Sequence, residues 1–289
     1  KFTFFLIQII LTPLILTYIG SETLGAFSIF MQFISYSILF DLGISTTLIR
    51  YLSQSYFENK RKFIDYFTTG KLLLIFINGF FVLLLVYFTI FPEKFIPLKD
   101  FGDRLDIQKS FLLLFIWFFF KGFFLIYNVG LTATQNLRAL NLIILFSNLL
   151  RFFLSLFFIF NNGGLNELIL SFVLGEFFSY SCQFIYFKYK ILKKTKIYLL
   201  LDKSILKEYF SFGFIYWLIN LSVLLFLNSD LILLGIFNTN TEVSYYYITK
   251  IPIFILMQII FRFSDNYLPA FNELYIKNDT KKFIKTYFF

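Results

Sequence analysis

The chain has 289 residues, of which 58% are hydrophobic and 15% charged, and its mean hydropathy is +0.76. A water-soluble core of this length could not hide so much apolar surface. A formal net charge of +9, no His and a single Cys, Cys182, exclude a His/Cys metal cluster, a disulfide framework and a Cys/His or Ser/His nucleophile pair.

Apolar residues fall in blocks of about 20, the length one helix needs to cross a ~30 Å hydrocarbon layer, and not in the short alternation of barrel strands. The pattern predicts an all-α integral membrane protein with eight transmembrane helices, whose 47 Phe face lipid or pack. The first span covers residues 2–19, with Pro13 in its interior, where a lost hydrogen bond and a ring clash kink a helix. The second covers 25–52 and carries Asp41, Gly43 and Arg50 inside it, ending at a basic loop of Asn59, Lys60, Arg61 and Lys62.

A third span over 72–91 leads to Pro92 and a mixed-charge loop, and a fourth covers 111–131. The fifth, over 142–160, closes on the turn signal Asn161-Asn162-Gly163-Gly164, and the sixth covers 167–187. A polar segment over 188–212 holds seven lysines. Asp202 there is expected to cap a short amphipathic helix that sets Ile205, Leu206, Tyr209 and Phe210 against the membrane. The seventh and eighth spans cover 213–235 and 244–268. The chain starts at Lys1 rather than Met and ends on a run that resembles the opening of another span, so a fragment of a larger protein, cut at its start and at its end, is expected.

Loops after the even-numbered spans hold most of the lysines and arginines, among them Lys60, Arg61, Lys62 and Arg138, and the other loops hold Lys94, Lys99, Arg104 and Lys109. That bias is expected to place the even-numbered span ends, and both termini, in the cytoplasm. An internal echo joins Ile19-Gly20 and Glu22 to Leu234-Gly235 and Glu242: a span closes on Gly and the next opens past a Glu. An even number of spans separates the copies, so they would be related by an axis along the membrane normal, unless they are two similar hairpins by chance.

Within the spans lie the cations Arg50, Lys121, Arg151, Lys250 and Arg262 and the acids Asp41, Glu176, Asp230 and Asp265. Ionisable groups at this depth are costly unless paired or wet, so each is a functional candidate. Helical spacing keeps Lys121, Asn128, Thr132 and Gln135 within about 60° of one another. It also gathers Ser147, Asn148, Arg151 and Ser155 on the fifth span and Glu176, Ser179, Tyr180 and Gln183 on the sixth. These stripes are expected to face one interior. Asp41 lies roughly opposite Arg50 on its helix, so the two are not expected to pair there.

The strings Pro13…Tyr18-Ile19-Gly20…Gly25 and Phe40-Asp41-Leu42-Gly43-Ile44…Leu48-Ile49-Arg50-Tyr51-Leu52, with Leu206-Lys207-Glu208-Tyr209-Phe210-Ser211-Phe212-Gly213 and Asn228-Ser229-Asp230…Leu234-Gly235, resemble the polysaccharide biosynthesis flippases. These are the O-antigen and capsule-unit exporters of the multidrug/oligosaccharidyl-lipid/polysaccharide superfamily. The resemblance implies about twelve to fourteen helices in two six-helix lobes around a cavity, of which 1–187 would be one lobe, 188–212 a cytoplasmic linker and 213–289 the start of the second. It implies a bacterial inner-membrane transporter, not an enzyme, that flips a polyprenyl-diphosphate-linked oligosaccharide alongside other polysaccharide-assembly proteins.

On that reading Arg50, Lys121, Arg151 and Lys250 form the cationic cavity that holds the diphosphate. Asp41, Glu176 and Asp230 either neutralise those cations or take up H⁺ or Na⁺ as coupling ion, and Asn128, Thr132 and Gln135 line the path. The competing readings are a drug/cation antiporter of the same superfamily, a membrane-embedded glycan polymerase or ligase, and a scaffolding membrane protein.

Overall fold

The computed structural model describes residues 2–90, 104–193 and 202–276. The mixed-charge loop with Lys94 and Lys99, the segment with Lys194 and Lys196, and the side chains of Gln258, Arg262, Asp265 and Asn266 lie outside the described residues. Nine α-helices are described: α1 (Phe2–Tyr18), α2 (Ser21–Tyr36), α3 (Ile44–Glu58), α4 (Lys60–Ile90), α5 (Arg104–Ala133), α6 (Leu137–Phe160), α7 (Leu165–Phe187), α8 (Lys203–Phe237) and α9 (Asn240–Ile276). No strand occurs among them. The chain divides into two compact units, Lys1–Tyr245 and Tyr246–Phe289.

Six helical stretches among the described residues are long and apolar enough to cross a membrane: Ser21–Asp41, Lys60–Phe80, Asp106–Ala133, Leu137–Phe160, Leu165–Leu192 and Lys203–Leu227. On α6 the polar residues Ser147, Asn148, Arg151 and Ser155 are buried, while Phe146, Phe153, Phe157 and Phe160 are exposed. A helix in water shows the reverse. Apolar side chains outward and polar ones inward fit a hydrocarbon solvent, in which bare polar groups are costly and exposed phenyl rings are not.

The second expected span is not one helix. After Ser37 the chain makes a 3-10 turn over Leu39–Asp41, and Leu42 (φ 51°) and Gly43 (φ 73°) both turn left-handed before α3 begins. The Asp41 carboxylate accepts a hydrogen bond from the Gly43 N–H at 2.9 Å, an Asx turn that competes with helix continuation. Gly43 serves a second purpose, because the backbone of Gly213 on α8 crosses it with no room for a Cβ.

The basic loop expected at residues 59–62 is instead the start of α4. Asn59 alone separates α3 from α4, and its side chain caps the Arg61 and Lys62 amides at 2.9 and 3.3 Å. The amphipathic helix expected after Asp202 is the first turns of the 35-residue α8. Asp202 does cap it, accepting from the Ser204 amide at 2.8 Å and hydroxyl at 2.6 Å, contacts that hold this exposed carboxyl below the usual Asp range. Ile205 and Tyr209 pack into protein rather than membrane, beside Leu52, Phe63, Phe67 and Phe187, and the Tyr209 hydroxyl donates to the Tyr66 carbonyl at 2.8 Å. Gly20 closes α1, its amide donating to the Ile15 carbonyl at 3.0 Å, and is also the N-cap of α2, whereas Gly235 lies inside α8 against Ile29 and does not close a span as the internal echo supposed.

Candidate functional site

The break between α2 and α3 creates backbone groups that an unbroken helix would have satisfied. Among hydrocarbon-facing helices these need partners from the protein. Two side chains from other helices supply them. Lys121 of α5 donates from Nζ to the Ser37 carbonyl at 3.1 Å and to the Ser37 hydroxyl at 2.8 Å. Trp217 of α8 donates from Nε1 to the Leu39 carbonyl at 2.9 Å. A cation at the carboxyl end of α2 and a carboxylate, Asp41, just ahead of α3 each meet the favourable pole of a half-helix.

Lys121 is buried at 7% exposure, with its ammonium 5.3 Å from the Trp117 ring and 5.4 Å from the Phe118 ring. The carboxyls of Asp41 and Glu176 are the charges close enough to act on it. Glu176, on α7, also feels Arg151 of α6. Arg151 is 5% exposed and its guanidinium lies 5.1 Å from the Phe172 ring. Charge therefore alternates through the interior in the order Asp41, Lys121, Glu176, Arg151, across four helical segments. The two acids and two bases balance.

Small residues let these helices approach. Gly175 sits against the Cβ of Arg151, and the Ser147 hydroxyl donates to the Gly175 carbonyl at 2.7 Å. The hydroxyls of Ser155 and Ser171 lie 2.7 Å apart across the same interface. A Gly and three Ser in contact are the close-packing pattern of membrane helices.

The structure brings Lys121, Arg151, Asp41 and Glu176 together and leaves the other candidates elsewhere. Arg50 is exposed on α3, with its guanidinium 4.3 Å from the Phe212 ring. Asp230 is half-buried on α8, where Oδ1 accepts from the Leu231 amide at 2.8 Å, and Tyr36 is a group its charge reaches. Lys250 belongs to the second unit, with Nζ 6.0 Å from the Tyr246 ring. Asn128 and Thr132 are half-buried, and the Thr132 hydroxyl donates to the Asn128 carbonyl of its own helix at 3.0 Å. Gln135 lies past the end of α5 with a left-handed φ of 56°, so it leaves the helical face that the spacing assigned to it.

Ser37, Trp117 and Trp217 are site residues that the spacing argument missed. The available signal was the Asp41-Leu42-Gly43 turn sequence inside an apolar run, since a turn at membrane depth demands donors from neighbouring helices. Compared with known protein families, curated proteins and solved structures, the chain has no match.

Proposed function

We propose that the chain belongs to a bacterial inner-membrane transporter that flips a polyprenyl-diphosphate-linked oligosaccharide, as its resemblance to polysaccharide flippases implies. On this reading it has eight spans, one six-helix lobe plus the opening of a second, and its basic end and N-terminus face the cytoplasm. The observation that supports it is the approach of Lys121 and Arg151 to one carboxylate, Glu176, beside a broken helix. Discontinuous helices near the midplane are where transporters place their binding sites.

The proposed cycle uses the two cations twice. With the interior closed, Asp41 and Glu176 neutralise Lys121 and Arg151. When the helices part, the substrate diphosphate takes the place of the carboxylates, which are then free to accept H⁺ or Na⁺. Movement of the substrate is alternating access, and no bond is made or broken. Arg50 and Lys250 have no part in this version of the site.

Proteoliposomes holding a fluorescent lipid-linked oligosaccharide test the proposal. The protein is expected to carry the label across the bilayer. Arg151→Gln is expected to slow that movement at least about tenfold per molecule of folded, inserted protein, the worth of one charge-assisted contact of about 1.5–3 kcal/mol, and Arg151→Lys, which keeps the charge, is expected to retain most of it. Movement no faster than in empty liposomes would overturn the assignment. The buried acids also suit a cation antiporter, and uptake of an organic cation without movement of the glycolipid would favour that reading.

A further inference from the structure

The basic end of the first unit holds a cleft of about 310 Å³, lined by none of the residues of the buried charge cluster. It lies between the start of α4 and the single π-helical turn, Lys188–Leu192, that follows α7. Lys60, Lys190 and Lys193 line it, Phe63 and Leu192 are buried in its floor, and Tyr56 forms part of its wall.

Three cations around one cleft repel each other, and among the described residues none of them has a carboxylate partner. Lys60, Arg61 and Lys62 open α4, where the positive pole of the helix disfavours cations. Lys190 is steered by the hydroxyl and ring of Tyr186, at 2.6 and 5.0 Å, which are not charged partners. An anion in the cleft relieves both the mutual repulsion and the conflict with the helix pole. The apolar floor says more about that anion: a free phosphate gains nothing from Phe63 and Leu192, whereas the glycerol and first methylenes of a lipid do.

We propose that this cleft binds the phosphate headgroup of an anionic membrane phospholipid. Basic recesses between helices at the membrane surface suit such headgroups, and each nearby lysine contributes to the attraction. The site is separate from the buried charge cluster, and it stands whether or not the protein moves a glycolipid.

Native mass spectrometry of the detergent-purified protein, titrated with phosphatidylglycerol, phosphatidylcholine and inorganic pyrophosphate, tests it. Phosphatidylglycerol is expected to bind at least about tenfold more tightly than phosphatidylcholine, and each lysine changed to Gln is expected to weaken it about fivefold. The combined variant Lys60→Gln, Lys190→Gln, Lys193→Gln should then treat the two lipids alike, the matching Arg variant should keep the preference, and Lys109→Gln, at the other end, should leave it intact. Equal binding of the two lipids by the unaltered protein, or unaltered preference in the triple Gln variant, overturns the proposal. Displacement of phosphatidylglycerol by equimolar pyrophosphate also overturns it, by assigning the cleft to a soluble anion.

Discussion

Lys121 carries two burdens, and they can be separated. It satisfies the carbonyl left open at Ser37, and it neutralises the carboxyl groups of Asp41 and Glu176. Removing one member of a buried ionic group leaves the others uncompensated, a loss of about 3–5 kcal/mol, whereas removing both members of a pair costs far less. Lys121→Met is therefore expected to destabilise the protein by about 3 kcal/mol or more. Adding Asp41→Asn should recover about 1 kcal/mol or more of that loss, because the amide oxygen can still accept from the Gly43 N–H while the orphan charge is gone. Equilibrium unfolding in mixed micelles measures both, and strict additivity of the two changes would show that Asp41 and Lys121 do not interact. The charge pattern in the sequence was enough to single out all four residues of the cluster. The acid–base alternation was not legible, because helical spacing orders residues within one helix and cannot say which helices are neighbours.

At the scale of elements the decisive feature is the break at Leu39–Gly43. The apolar run on either side reads as one continuous span, and hydropathy has no term for backbone direction, so the pattern predicts a helix straight through it. Turn chemistry was present in Asp41 and Gly43, but local propensity alone could not show that α8 would cross there and require a residue without a side chain. Lys60–Lys62 misled in the opposite way: charge suggested a loop, yet a single capping residue, Asn59, suffices to restart a helix. Two glycines distinguish these effects. Gly43→Ala meets a left-handed φ, worth about 1–2 kcal/mol, as well as the Gly213 backbone, and should destabilise by about 2 kcal/mol or more. Gly79→Ala, on an exposed helical site with nothing near its would-be Cβ, should be neutral or stabilise by up to about 1 kcal/mol. Thermal melts in detergent rank the two; similar melting temperatures would mean that α8 does not depend on the close crossing.

For the whole molecule, the distribution of charge defines direction. The core that joins Phe63, Ala133, Leu140, Leu192 and Ile205 brings the α3–α4, α5–α6 and α7–α8 ends together, and with them Lys60, Arg61, Lys62, Arg138, Lys190 and Lys193. At the far end Asn166 of α7 bonds Ser110 and Asp106 of α5 at 2.8 and 3.1 Å, near Lys109. Translocation of short loops disfavours lysine and arginine, so under the proposed function the end rich in them is expected to stay in the cytoplasm. Single cysteines placed in a Cys182→Ser background turn this into a measurement, because both test positions are exposed: Lys190 at the basic end and Asn162 in the α6–α7 turn. In intact cells a membrane-impermeant maleimide should label Asn162→Cys, and it should reach Lys190→Cys only after the membrane is opened. The reverse pattern would turn the protein over in the membrane. The lipid cleft and the proposed direction of glycolipid movement would then have to be reassigned to the opposite leaflet, since both follow the basic end.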